Sequence, residues 1–113
     1  MITIYHNTRC RKSREGLEMV KNSGQDYRVR EYLKVPLTEE EISALIEKLN
    51  ISPIQLVRKN EKIWKENYKD KDLSDRELIA IMAKNPRLIQ RPVVENQEKA
   101  VIGRPPSTIE EIL

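Results

Sequence analysis

The sequence predicts one α/β domain in which a small mixed β-sheet is interrupted by a run of helices, and three observations carry that expectation. A β-favouring run, Ile2-Thr3-Ile4-Tyr5, gives way to helical spacing from Cys10 and then to a second extended segment from Tyr27. Helix-start signatures follow at Thr38, Ser52 and Ser74. Near the C-terminus, Val93-Val94-Glu95 and Ala100-Val101-Ile102 flank the polar turn Asn96-Gln97-Glu98-Lys99, the pattern of an antiparallel hairpin.

Length and composition bound the fold before its elements are assigned. The 113 residues match a single ordinary domain, so residues 1–113 are expected to form one unit. Hydrophobic residues make up 38% and charged residues 35%, but Leu, Ile and Val together number 30, above the roughly 20% floor below which cores fail. No stretch approaches the ~18 uninterrupted apolar residues of a membrane span, and the N-terminus lacks the regions of a signal peptide. The expectation is a soluble, cytoplasmic protein. With 21 basic and 18 acidic residues the formal charge is +3, too mild to indicate nucleic acid. Cys10 is the only cysteine, which excludes an internal disulfide and zinc sites built on several thiolates. Any redox chemistry must borrow its second thiol.

Each element has a local reason. The first strand is bounded by the polar run His6-Asn7-Thr8-Arg9. In the following helix Leu17, Val20 and Lys21, with Met19 alongside, share a face, and Ser23-Gly24 supplies the stop. Gly16 within it costs about 1 kcal/mol relative to Ala, a cost tolerated where another backbone packs closely. The second strand spans Tyr27 to Leu33, with Tyr27, Val29 and Glu31 alternating against Arg28, Arg30 and Tyr32. The intervening helix allows the two strands to run parallel as a right-handed βαβ unit. Thr38 and Glu41 form a capping box before an apolar stripe of Ile42, Leu45, Ile46 and Leu49. Similar starts at Ser52, Ser74 and Ser107 predict four helices after the second strand, the Ser74 helix stopping before Asn85-Pro86. Lys59 to Leu73 reads as a charged loop with one helical turn, anchored by Ile63, Trp64 and Tyr68. The order is a thioredoxin-like arrangement, a four-stranded mixed sheet with a helical insertion over about 38–86.

Cys10 falls where the first strand hands over to the first helix. Backbone N–H groups and the positive end of the helix dipole favour an anion there, and a thiolate is an anion. Such a position, with Arg9, Arg11, Lys12 and Arg14 around it, lowers a thiol pKa and makes a nucleophile. A lone cysteine is more often a small buried hydrophobe. One set between two arginines at a helix start does not fit that description. His6, the only histidine, lies in the same loop, and Ser13 brings a hydroxyl three residues past the sulfur.

The run His6-Asn7-Thr8-Arg9-Cys10-Arg11-Lys12-Ser13-Arg14 resembles the active-site loop of the glutathione- and glutaredoxin-coupled arsenate reductase (ArsC) family. The similarity extends through Glu31-Tyr32-Leu33, Leu56-Val57-Arg58-Lys59, Asn85-Pro86, Arg91-Pro92-Val93-Val94 and Ile102-Gly103-Arg104-Pro105. The resemblance implies a thioredoxin-like fold, with Cys10 as nucleophile, His6 helping to hold it as thiolate, and Ser13 hydrogen-bonding near the sulfur. It implies that Arg58, Arg91 and Arg104 bind the oxyanion, a task that suits the planar fork of guanidinium. It also implies a cis peptide bond at Arg91-Pro92, with Pro92 shaping the pocket.

The implied reaction is reduction of arsenate to arsenite through a Cys10 thioarsenate, with glutathione as co-substrate, glutaredoxin as partner, and neither bound cofactor nor metal. Two other readings share these features. One is an oxidoreductase of the same fold acting on another oxyanion or a glutathione-linked thiol. The other is a regulator that binds RNA polymerase or another protein, although such regulators carry Cys-x-x-Cys and this chain has Ser13 at the second position. A plain nucleic-acid module is disfavoured, because no aromatic stacking motif accompanies the basic residues.

Overall fold

Strand β1 (Ile2–Tyr5) is buried at every position, as expected of a strand with a neighbour on each side. A computed structural model describes all residues, 1–113, and pairs β1 in parallel with β2 (Tyr27–Arg30) and antiparallel with β3 (Val93–Glu95). Strand β4 (Ala100–Ile102) pairs antiparallel with β3, giving the four-stranded order β2-β1-β3-β4. The mixed sheet and the hairpin appear where the sequence puts them. No helix is long and apolar enough to cross a membrane.

The chain parts into two units, Met1–Val35 with Arg91–Leu113, and Pro36–Gln90. In the first, α1 (Arg11–Asn22) and a terminal 3₁₀ helix (Pro106–Ile112) pack on the sheet. Ile2 and Ile4 of β1 join Val20, Val94, Ile109 and Ile112 in its core. The buried face of α1 is Ser13, Gly16 and Val20, whereas Lys21, expected on that face, is exposed. Small residues mark this contact, so hydropathy alone misplaces it. A Cβ on Gly16 would lie 2.9 Å from Ile109 Cδ1 and 3.0 Å from Pro92 Cγ. The close neighbours are therefore two side chains rather than the backbone expected from the sequence.

Strand β2 ends at Arg30 instead of Leu33, because Lys34 and Val35 both donate to the Glu31 carbonyl at 3.0 Å and turn the chain. It is an edge strand with Val29 41% exposed, so its alternation does not report a buried face.

The second unit holds α2 (Glu39–Leu49), α3 (Lys62–Asn67) and α4 (Asp75–Lys84). Thr38 Oγ1 accepts from Glu41 N–H at 3.1 Å while Glu41 Oε1 accepts from Thr38 N–H at 3.0 Å, which completes the capping box. Ser74 and Glu77 repeat it on α4. Ile42, Leu45, Ile46, Leu56, Leu78 and Met82 are buried within this unit, each side chain contributing about 1.5–3 kcal/mol.

Two of the four helices expected after the second strand are 3₁₀ turns. The Ser52 turn covers only Pro53–Leu56, because Val57 is drawn into a bridge with Ile89 and its flanking main chain bonds Leu88 and Gln90. At the C-terminus Pro106, not Ser107, opens the helix, with no side-chain cap and with Thr108 N–H on the Pro105 carbonyl at 3.0 Å. The charged Lys59–Leu73 stretch carries the short helix α3.

Candidate active site

Cys10 is the N-cap of α1, in extended geometry and 8% exposed. Its N–H bonds the Asn7 carbonyl at 3.0 Å, and its carbonyl takes the first helical bond from Arg14 N–H at 3.0 Å. The loop before it is tied down locally. Asn7 Oδ1 accepts from Arg9 N–H at 3.0 Å, an Asx turn, and Arg14 Nη1 donates to the Thr8 carbonyl at 3.0 Å.

Burial by itself would push the Cys10 thiol up, yet the net result is a lowered pKa. The Ser13 N–H, the Arg91 guanidinium and the Lys12 N–H stabilise the thiolate and together outweigh desolvation. The orphan N–H groups of the first helical turn thus face the sulfur, as the position at the strand–helix junction requires.

Sheet register explains how Arg91 arrives there. Tyr5 pairs with Val93, so the end of β1 that leads to His6 and Cys10 coincides with the start of β3. Arg91 lies two residues before Val93, joined to Pro92 by a cis peptide bond as the resemblance implies. The buried Pro92 ring rests against Gly16, in the second turn of α1, which holds the Arg91 segment beside the helix start. Arg91 Nε is buried with no hydrogen-bond partner. Arg104 leaves the same end of the sheet, since Gly103 N–H donates to the Pro92 carbonyl at 2.8 Å, and its side chain is exposed. The Arg104–Pro105 bond is also cis.

The Ser13 hydroxyl does not bond the sulfur. Its Oγ lies 2.6 Å from His6 Nδ1 and accepts from Asn7 N–H at 2.9 Å, so it is Ser13's main-chain N–H that meets the thiol. His6 is 5% exposed, and desolvation lowers its pKa; Glu31 and Ser13 raise it, Arg14 and Lys21 lower it, and burial prevails. With Nδ1 as acceptor, the Ser13 hydroxyl donates to it while Oγ accepts from Asn7 N–H, an arrangement that satisfies all three groups. Arg58 belongs to the second unit, where its Nη1 is 2.6 Å from Glu61 Oε1. Sequence reasoning overlooked Asn7, whose position two residues before Arg9 is the available Asx-turn signal, and the contact residue Gly103.

A thioredoxin-like mixed sheet that brings Arg91 and the first-turn N–H groups onto a thiol at a helix start makes the Cys10 loop the candidate site. The ArsC family model matches residues 5–112, and the chain belongs to the ArsC family. It is 41% identical to the uncharacterized protein YfgD of Escherichia coli (strain K12), over 99% of this chain and 96% of that one. It is 39% identical to the arsenate reductase of Haemophilus influenzae, over 99% of this chain and 98% of the other. The solved arsenate reductase from Vibrio cholerae superposes with a TM-score of 0.94 at 40% identity, covering 99% of this chain and 97% of its own.

Proposed function

We propose that the protein is an arsenate reductase in which Cys10 forms a covalent adduct with arsenic. The observation that carries this reading is a lowered thiol facing a guanidinium whose buried Nε has no partner in the chain. An unsatisfied buried donor is costly, and an oxyanion oxygen would satisfy it. The names of relatives matched over nearly their whole length supply arsenate as the candidate substrate.

In the proposed reaction the Cys10 thiolate sulfur bonds arsenic(V), an As–O bond breaks, and the oxygen leaves as water with protons from the substrate and from solvent. Arg91, with the first-turn N–H groups, stabilises the remaining oxygens. Arg104 is assigned to the same oxyanion on the family resemblance. His6 and Ser13 act as positioning residues, holding the loop so that the Ser13 N–H stays on the sulfur.

Reduction to arsenic(III) needs two electrons, and Cys10 has no second thiol in the chain. Glutathione therefore attacks the arsenic of the adduct, a second As–O bond breaks and its oxygen leaves as water, and a glutaredoxin thiolate then attacks the glutathione sulfur. The glutathione S–As bond breaks with its electron pair staying on arsenic, which becomes arsenic(III), a glutaredoxin–glutathione disulfide forms, and water hydrolyses the remaining As–S bond to release arsenite and restore the Cys10 thiol. Dependence on this thiol supply makes the cytoplasm the site of action.

The test is NADPH consumption coupled through glutathione reductase, glutathione and glutaredoxin, with and without arsenate, for the intact chain and Cys10→Ser. Arsenate-dependent turnover that vanishes in the variant is the expected result. No turnover from an intact chain whose Cys10 alkylates rapidly would remove arsenate and leave the reactive thiol for another substrate.

A further inference from the structure

A cleft of about 500 Å³ lies wholly within the second unit, away in sequence from Cys10. That volume is in the range of small-molecule sites, roughly 300–1,000 Å³. Ile54, Leu73 and Leu78 supply its apolar lining, together with Trp64, which is 6% exposed.

The rim is cationic on balance. Lys59, Lys65, Lys69 and Lys71 line the cleft, and none makes an ion pair. The nearby glutamates are engaged elsewhere: Glu61 holds Arg58 at 2.6 Å and Glu66 holds Lys62 at 3.7 Å. Asp72 and Asp75 also line the cleft, so four lysines against two aspartates leave an excess of two positive charges. Lys71 is steadied over the Tyr68 ring at 5.8 Å, and that ring stands 5.8 Å from Trp64. Trp64, the one aromatic residue of the lining, and a positive rim thus meet in one concavity.

We propose that this cleft binds a small organic anion that combines a flat apolar group with at least two negative charges. The apolar group lies along Trp64, Leu73 and Leu78, where burial favours it, and the anionic end takes lysine point charges. Phosphate monoesters of an aromatic alcohol are the simplest ligands of this kind.

Phenyl phosphate, phenol and inorganic phosphate, titrated separately into the full chain, dissect the two halves of the site. Calorimetry gives the affinity, and emission from Trp64, the single tryptophan, reports locally. The expected result is saturable binding of phenyl phosphate with a change in Trp64 emission, and binding about tenfold or more weaker for each of the other two. Lys65→Glu/Lys69→Glu should weaken phenyl phosphate about tenfold, whereas the equally charged control Lys84→Glu/Lys99→Glu, outside the cleft, should not. All four lysines are exposed, so both double variants should fold. Equal binding of phosphate and phenyl phosphate, or equal losses in the two double variants, would overturn the proposal. So would the absence of saturable binding, as expected if the cleft instead seats an acidic segment of a protein.

Discussion

Substituting Gly16 by alanine sets two opposing effects of known size against each other. In a helix interior the change should stabilise by about 1 kcal/mol, because glycine loses more backbone freedom on folding. Here the new Cβ would stand 2.9 Å from Ile109 Cδ1 and 3.0 Å from Pro92 Cγ, inside ordinary carbon contact distance. Ile109 is fully buried and Pro92 is a rigid ring, so relief requires movement of packed neighbours, at a cost of about 1–3 kcal/mol. The net expectation is destabilisation of about 0–2 kcal/mol, read from the urea midpoint at unchanged m-value. Gly103→Ala meets the same two side chains, at 2.8 Å from Ile109 Cδ1 and 3.0 Å from Pro92 Cγ, outside any helix. It lacks the propensity gain and should cost the full amount of about 1–3 kcal/mol. A second readout links packing to chemistry: Pro92 carries Arg91, so displacing the ring should slow Cys10 alkylation at acidic pH. A Gly16→Ala chain that is more stable by about 1 kcal/mol, with unaltered thiol reactivity, would refute the view that this glycine exists for the Pro92 contact.

Further outcomes follow from the site. Cys10 should alkylate with a pH midpoint below that of free cysteine in the same buffer, and Arg91→Leu should move the midpoint up, because a favourable charge beside the thiolate is lost. The lowered pKa of His6 means that the unfolded chain takes up the proton first. The stability from neutral His6 is therefore complete above about 6.5 and is lost as pH falls toward the folded value. Urea midpoints measured across that window should decline, and His6→Asn should flatten the decline. Ser13→Ala removes the hydroxyl shared by His6 Nδ1 and Asn7 N–H and should cost about 1–3 kcal/mol by thermal melting, since buried partners are left unsatisfied.

Much of this molecule is legible locally. The strand Ile2–Tyr5, the hairpin around Asn96–Lys99 and the Thr38 and Ser74 capping boxes were readable because each depends on residues within a few positions of one another. The Ser52 start holds, with its capping box and Pro53 at the first position, but its length was not readable, because the bridge from Val57 to Ile89 ends it after one turn. At Ser107 the start falls one residue early, at Pro106. The face of α1 was misjudged because its contact residues, Ser13 and Gly16, carry no hydropathy signal.

By itself the sequence determined that one thiol sits at a helix start, that any second thiol comes from another molecule, and that a mixed sheet accommodates a helical insertion. Those properties depend on residue identity, count and short spacing. Only the tertiary structure decided that Arg91 meets the Cys10 sulfur, and that the Ser13 hydroxyl turns to His6 while its N–H takes the thiol. It also decided that four lysines surround the Trp64 cleft without carboxylate partners. The reason is geometric. The partner of a side chain far along the chain is set by strand register and by which surfaces pack closely enough to exclude a methyl group, and neither quantity is encoded in any short window of residues.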